Sequence, residues 1–144
     1  MRQSENILIS LSARHAENIL AGTKRVELRR RTMNINPGAT LWMYVKMPVG
    51  LIMGQAKVGA IHAAAPSTLW RRFGSVSGLS RAEFFEYFSG VTLGIALVLE
   101  DSKRLTQQLS LEALRAIDGQ FQPPQFFRRL GKGQPLLEAI TAEG

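Results

Sequence analysis

Gly22-Thr23-Lys24-Arg25-Val26-Glu27-Leu28-Arg29-Arg30-Arg31 is the stretch on which the reading of this chain turns. It follows a short helical pattern and reads as a strand carrying six charges, five of them positive. A strand this cationic is poor core material, but it suits a sheet edge at the rim of a cleft. Val26 and Leu28 then face inward. Because strand side chains alternate, Arg25, Glu27, Arg29 and Arg31 share the opposite face. Lys24 and Arg30 fall on the apolar side, at the strand ends. Clustered guanidinium groups suit phosphate, whose oxygens their planar fork meets two at a time.

The elements around this strand follow from local signals. Asn6-Ile7-Leu8-Ile9-Ser10-Leu11 is an apolar run suited to a buried strand. Ser12 is placed to cap a helix over Ala13–Ala21, with Gly22 as its C-terminal stop. Asn34 to Gly38 is a turn signal, and Thr40–Val45 is rich in strand formers. Met47-Pro48-Val49-Gly50 breaks that strand and Leu51–Ile61 resumes one. Pro66–Phe73 reads as a helix closed by Gly74. Ser80-Arg81-Ala82-Glu83 is a capping box opening a helix through Phe88 that ends at Gly90. Thr92–Leu99 is a core strand, Ser110 caps a helix over Leu111–Ile117, and Phe121–Leu130 is an aromatic, irregular strap. Residues 131–144 are expected to be a flexible or frayed tail following one domain over residues 1–130. Short strands with helices inserted between them predict an α+β fold, a small mixed barrel rather than a doubly wound sheet. No glycine pattern of a dinucleotide-binding or P-loop type occurs.

Composition sets the classes. Of 144 residues, 18 are Lys or Arg and 11 Asp or Glu, a formal net charge of +7 that favours an anionic partner. The absence of cysteine excludes disulfides and thiolate zinc sites. Met1 to Asn6 has no apolar run of signal-peptide type after it, and Leu93–Leu99 is far too short to span a bilayer. A cytoplasmic location and no membrane partner are expected.

Ile7–Leu11, His15-Ala16-Glu17-Asn18-Ile19-Leu20-Ala21 and the pattern Gly22-x-Lys24-x-x-Glu27-x-Arg29 together resemble the ASCH domain, a branch of the PUA-like superfamily. Leu41-Trp42-Met43-Tyr44 before the Pro48-Val49 break, Leu79 to Phe88, and Phe121-Gln122-Pro123-Pro124-Gln125-Phe126 extend the similarity over residues 6 to 130. The resemblance implies a small PUA-like β-barrel with helices beside a cleft, an RNA partner, and in some members catalysis on RNA or modified nucleosides. The chain also departs from the pattern. The branch that hydrolyses acetylated cytidine has threonine where Glu27 stands, and a glutamate near Ser75-Val76-Ser77-Gly78. Many relatives have lysine in place of Gly50 and serine in place of Phe126.

Candidate site residues follow. Lys24 heads the charged strand beside a turn and is a candidate proton donor or acceptor once desolvated. Glu27 and Tyr44 are candidate bases. Lys24, Arg25, Arg29, Arg31 and Lys46 are candidate phosphate contacts, and Tyr44, at the end of its strand, is placed to stack an unpaired base. Trp70-Arg71-Arg72-Phe73 and Phe127-Arg128-Arg129 interleave aromatics with cations. His15 and His62 are poor catalytic candidates. No cofactor is expected, a weakly held Mg²⁺ on Glu100 or Asp101 being the exception.

The leading expectation is an RNA-binding domain with a basic cleft, taking single-stranded RNA as a monomer or weak homodimer and acting on it as a ribonuclease-like hydrolase. The alternatives are an amidohydrolase on acetylated nucleosides, for which the motif is incomplete, and a non-catalytic module in transcription or translation regulation.

Overall fold

The structure, a computed structural model, describes residues 5–143. The reading of Met1 to Ser4 lies outside the described residues. The chain runs through β1 (Asn6–Leu11), α1 (Ala13–Ala21), β2 (Val26–Arg29), β3 (Thr40–Val45), β4 (Leu51–Ala64) and α2 (Pro66–Phe73). After a 3₁₀ turn at Gly74–Val76 come α3 (Arg81–Tyr87), β5 (Gly94–Ser110), α4 (Leu111–Ile117), β6 (Arg128–Arg129) and α5 (Pro135–Glu143).

The six strands form one mixed sheet in the order β2-β5-β4-β3-β1-β6. β1 runs parallel to β3, with Ile7 opposite Leu41, and every other neighbouring pair is antiparallel. β4 and β5 are long, and their mutual register shifts three times. Such irregularities bend and twist a ladder, and the sheet curls into the half-barrel of a PUA-like α+β fold.

Both faces of the central strands are covered, which explains why Thr40–Val45 lacks polar alternation. Leu41, Met43 and Val45 join Ile7, Ile9 and Leu11 in one core beneath α1. Trp42 and Tyr44 point the other way, into a second core with Leu8, Leu114 of α4 and Phe121. A third core joins Val26 and Leu28 to Leu69 of α2 and to Phe84 and Phe88.

Several boundaries follow the local signals. Gly22 ends α1 with φ +84°, a conformation that costs glycine little. The Ser80 hydroxyl accepts from Glu83 N at 3.2 Å while Ser80 N donates to Glu83 Oε1 at 2.8 Å, completing the capping box. The Ser110 hydroxyl accepts from Ala113 N at 3.1 Å. Ser12 stands at the start of α1 without capping it through its side chain.

Other expectations need correction. Regular strand within the charged stretch is confined to Val26–Arg29, which register against Val98 to Ile95 of β5. β5 does not stop near Leu99 but continues to Ser110, because its polar second half pairs with the start of β4, Leu51 opposite Ser110. Residues 131–144, expected as a flexible or frayed tail, contain the helix α5, whose Leu136, Leu137 and Ile140 are docked in the second core. No helix among the described residues is long and apolar enough to cross a membrane.

Candidate nucleic-acid interface

A cleft of about 350 Å³ opens where the C-terminal end of β1, the first turn of α1, the charged strand and α3 meet. Ser10, Leu11, Ser12 and His15 line it together with Lys24, Glu27, Leu28 and Arg29 of the charged stretch. Lys46, Leu79, Tyr87 and Gln125 complete it. Lys24, Arg29 and Lys46 share this lining with one carboxylate, Glu27.

Lys24 is only 3 % exposed. Its Nζ donates to the carbonyl oxygen of Ser77, 53 residues further on. That carbonyl is held in place by a small hydrogen-bonded turn: the Ser77 hydroxyl donates to Gly74 O at 2.8 Å and accepts from Leu79 N at 3.2 Å. Gly78, at φ +71°, lies against the Lys24 stem, and a Cβ there would meet Lys24 Cδ at 3.2 Å. Burial pushes the Lys24 ammonium below its ordinary pKa; Glu27 opposes this shift and Arg14 reinforces it.

Glu27 and Arg29 pair at 2.9 Å, both nearly enclosed. Arg29 Nη1 also donates to the Phe126 carbonyl at 3.1 Å, tying β2 to the aromatic strap. The Tyr87 hydroxyl donates to Leu28 O at 2.8 Å, anchoring α3 to the same strand. Ser10 Oγ donates to Pro124 O at 2.7 Å.

His15, set aside on sequence grounds, lines this cleft. Its pKa is lowered to about 4, by burial first and then by the charges of Lys24, Arg14 and Lys46, against a raising influence from Glu83. Among the described residues no group bonds its Nδ1, which is closed to solvent. The sequence signal for it was slight: one position before the buried Ala16, at the edge of the apolar face of α1.

Of the residues expected at the site, the structure brings Lys24, Glu27, Arg29 and Lys46 together. Arg25 and Arg31 are exposed outside the cleft. Arg25 Nε donates to Gly22 O at 3.2 Å, and the Arg31 guanidinium sits 4.0 Å from the centroid of Phe126. Tyr44 must be reassigned. It is 1 % exposed within the second core, its ring 6.2 Å from Phe121, so no base can stack on it. Its buried hydroxyl has no hydrogen-bond partner. The interleaved cations stack within the molecule, Arg129 of the strap over Phe127 at 5.3 Å and Arg72 of α2 over Phe73 at 5.6 Å. Glu100 and Asp101 lie on β5, away from the cleft lining. Among the described residues no three His, Asp or Glu side chains cluster as a metal site.

The family model described as "Domain of unknown function (DUF365)" matches residues 6–129. An ASCH domain-containing ribonuclease of Zymomonas mobilis subsp. mobilis is 35 % identical over 137 residues, covering 94 % of this chain and 92 % of that protein. The crystal structure of ASCH from Zymomonas mobilis superposes with a TM-score of 0.89 at 32 % identity, covering 96 % of each chain. Its serine-to-alanine variant gives 0.90 at 30 % identity over the whole of both chains. Human THYN1, solved in complex with 5-methylcytosine-containing DNA, shares the fold at TM-score 0.55 and 11 % identity. The match over residues 6–129 places the chain in the DUF365 family, and with 35 % identity to an ASCH relative along nearly its whole length the chain belongs to the ASCH domain family.

Proposed function

We propose that this protein binds single-stranded RNA in the cleft headed by Lys24 and cleaves it there. The observation that carries this reading is a buried lysine in the wall of a solvent-filled concavity, with Arg29 and Lys46 beside it. The cost of desolvating an ammonium is offset when a phosphodiester supplies the opposite charge. A cavity of about 350 Å³ suits a splayed nucleotide rather than a duplex. Phosphoryl chemistry gains from cations aimed at the phosphate as its oxygens gather charge. Lys24 and Arg29 fill that role, while Lys46, exposed at the mouth, holds a neighbouring phosphate. The relative named as a ribonuclease supports the assignment of the reaction.

Hydrolysis of an acetylated nucleoside fits less well. The Lys24 Nζ faces the backbone carbonyl of Ser77 where the resembled relay has a carboxylate, and Glu27 is engaged by Arg29.

The test uses a labelled single-stranded oligoribonucleotide with wild type, Lys24→Met and Lys46→Ala, each with and without chelator. Lys46→Ala is expected to weaken binding several-fold and Lys24→Met to slow cleavage about 100-fold, the effect of removing one preorganised charge donor. Failure of wild type to bind the oligonucleotide at low salt, or cleavage undiminished in Lys24→Met, overturns the proposal.

A further inference from the structure

We propose that His15 is the proton acceptor of this cleft, taking the proton of a ribose 2′-hydroxyl as that oxygen attacks the adjacent phosphorus; this rests on the RNA-cleavage reading above.

Cleavage needs a base, and Glu27, Tyr87, Ser10 and Lys24 of the cleft are already engaged. The Glu27 carboxylate is held by Arg29 at 2.9 Å. The Tyr87 hydroxyl donates to Leu28 O, the Ser10 hydroxyl to Pro124 O, and Lys24 to Ser77 O. Tyr44 is sealed in the second core. His15 stands in the first turn of α1 and lines the same cleft as Lys24, and among the described residues no group bonds its Nδ1. With Nδ1 closed to solvent, Nε2 is the nitrogen a ligand reaches.

Burial first, and then the charges around the ring, set its state. Arg14 on its own helix, Lys24 before β2 and Lys46 after β3 oppose protonation, while Glu83 on α3 favours it. Burial adds to the first group, so the imidazole is neutral near pH 7 and able to accept. Entry of a phosphodiester cancels part of the field of Lys24 and Lys46 and raises the basicity of the ring during the reaction.

The step balances without a further reactant. The O2′–P bond forms and the P–O5′ bond breaks. The 2′ proton passes to His15, and the departing 5′ oxygen takes a proton from the Lys24 ammonium, which burial makes a readier acid. The products are a 2′,3′-cyclic phosphate and a 5′-hydroxyl. His15 then returns its proton to Lys24 through solvent.

The experiment measures single-turnover cleavage, Kd and the pH–rate profile for wild type and His15→Asn, with His15→Ala assayed with and without added imidazole. The cleavage rate of His15→Asn should fall at least about 100-fold with Kd within about threefold. The rising acid limb of the profile should vanish, and imidazole should restore part of the His15→Ala rate. Wild type should bind an oligonucleotide 2′-O-methylated throughout without cutting it. Cleavage of that oligonucleotide, a wild-type rate in His15→Asn, or binding lost in step with cleavage overturns the role of His15 while leaving the cleft as the RNA site. Wild type that binds RNA and never cleaves it overturns the role and the cleavage reading together.

Discussion

Glu27 and Arg29, two residues apart on β2, pair at 2.9 Å with their side chains only 8 % and 11 % exposed. Alternation in a strand puts them on one face, and the cleft wall closes over them. Removing one partner of so enclosed a pair strands the other. Glu27→Gln is therefore expected to lose about 3 kcal/mol, read as a lower urea midpoint. Arg29, released from its carboxylate, should bind a single-stranded oligonucleotide more tightly at low salt. A variant as stable as wild type contradicts the enclosed pair.

Salt dependence reports how many cations reach phosphate. Lys24, Arg29 and Lys46 line the cleft and Arg25 and Arg31 do not. For a short single strand, log K against log salt should fall with a slope of about −2. A titration by fluorescence anisotropy measures it; a slope near −4 would bring the two outer arginines into contact.

Acid should destabilise the protein through His15. Its pKa is near 4 folded against 6.5 unfolded, so above pH 6.5 both states are neutral and the group adds nothing to the pH dependence. As pH falls from 6.5 towards 4, the unfolded chain takes up a proton that the folded one refuses, and stability drops. His15→Asn should lack this component. The check is the difference in urea midpoint between the two proteins across that interval, expected to shift in favour of the variant as pH falls.

Tyr44 provides a contrast. A buried hydroxyl without a partner costs about 1–3 kcal/mol of desolvation, so Tyr44→Phe should be neutral or more stable in thermal melts. RNA affinity should not change, because the ring lies outside the cleft. Weaker binding in this variant would return Tyr44 to the interface.

The C-terminal helix should behave as core. Ile140 is fully buried among Leu136, Leu137 and Leu114, and Ile140→Ala is expected to cost about 2–5 kcal/mol. Chemical denaturation measures it; a loss below about 0.5 kcal/mol, the scale of a surface substitution, would mean that α5 does not dock.

What short-range chemistry dictates was legible in the sequence alone. Caps at Ser80 and Ser110, the αL stop at Gly22 and the apolar run of Asn6–Leu11 each depend on neighbours within a few residues. The edge position of β2 was legible too, but its regular part, Val26–Arg29, carries one glutamate and one arginine rather than a run of cations. The family resemblance added the expectation of a cleft and of a nucleic-acid partner. Contacts between distant segments were decided only in three dimensions. Lys24 is buried because Ser77 presents a carbonyl to it from 53 residues away. Tyr44 turns from the cleft into the second core because both faces of β3 are covered, so strand alternation alone could not say which face was wet. β5 runs past Leu99 because β4 supplies hydrogen-bond partners to polar residues with little strand preference of their own. His15 becomes part of a site because the charged strand folds back across the start of its helix, and burial among cations is a property of that assembly rather than of any local pattern.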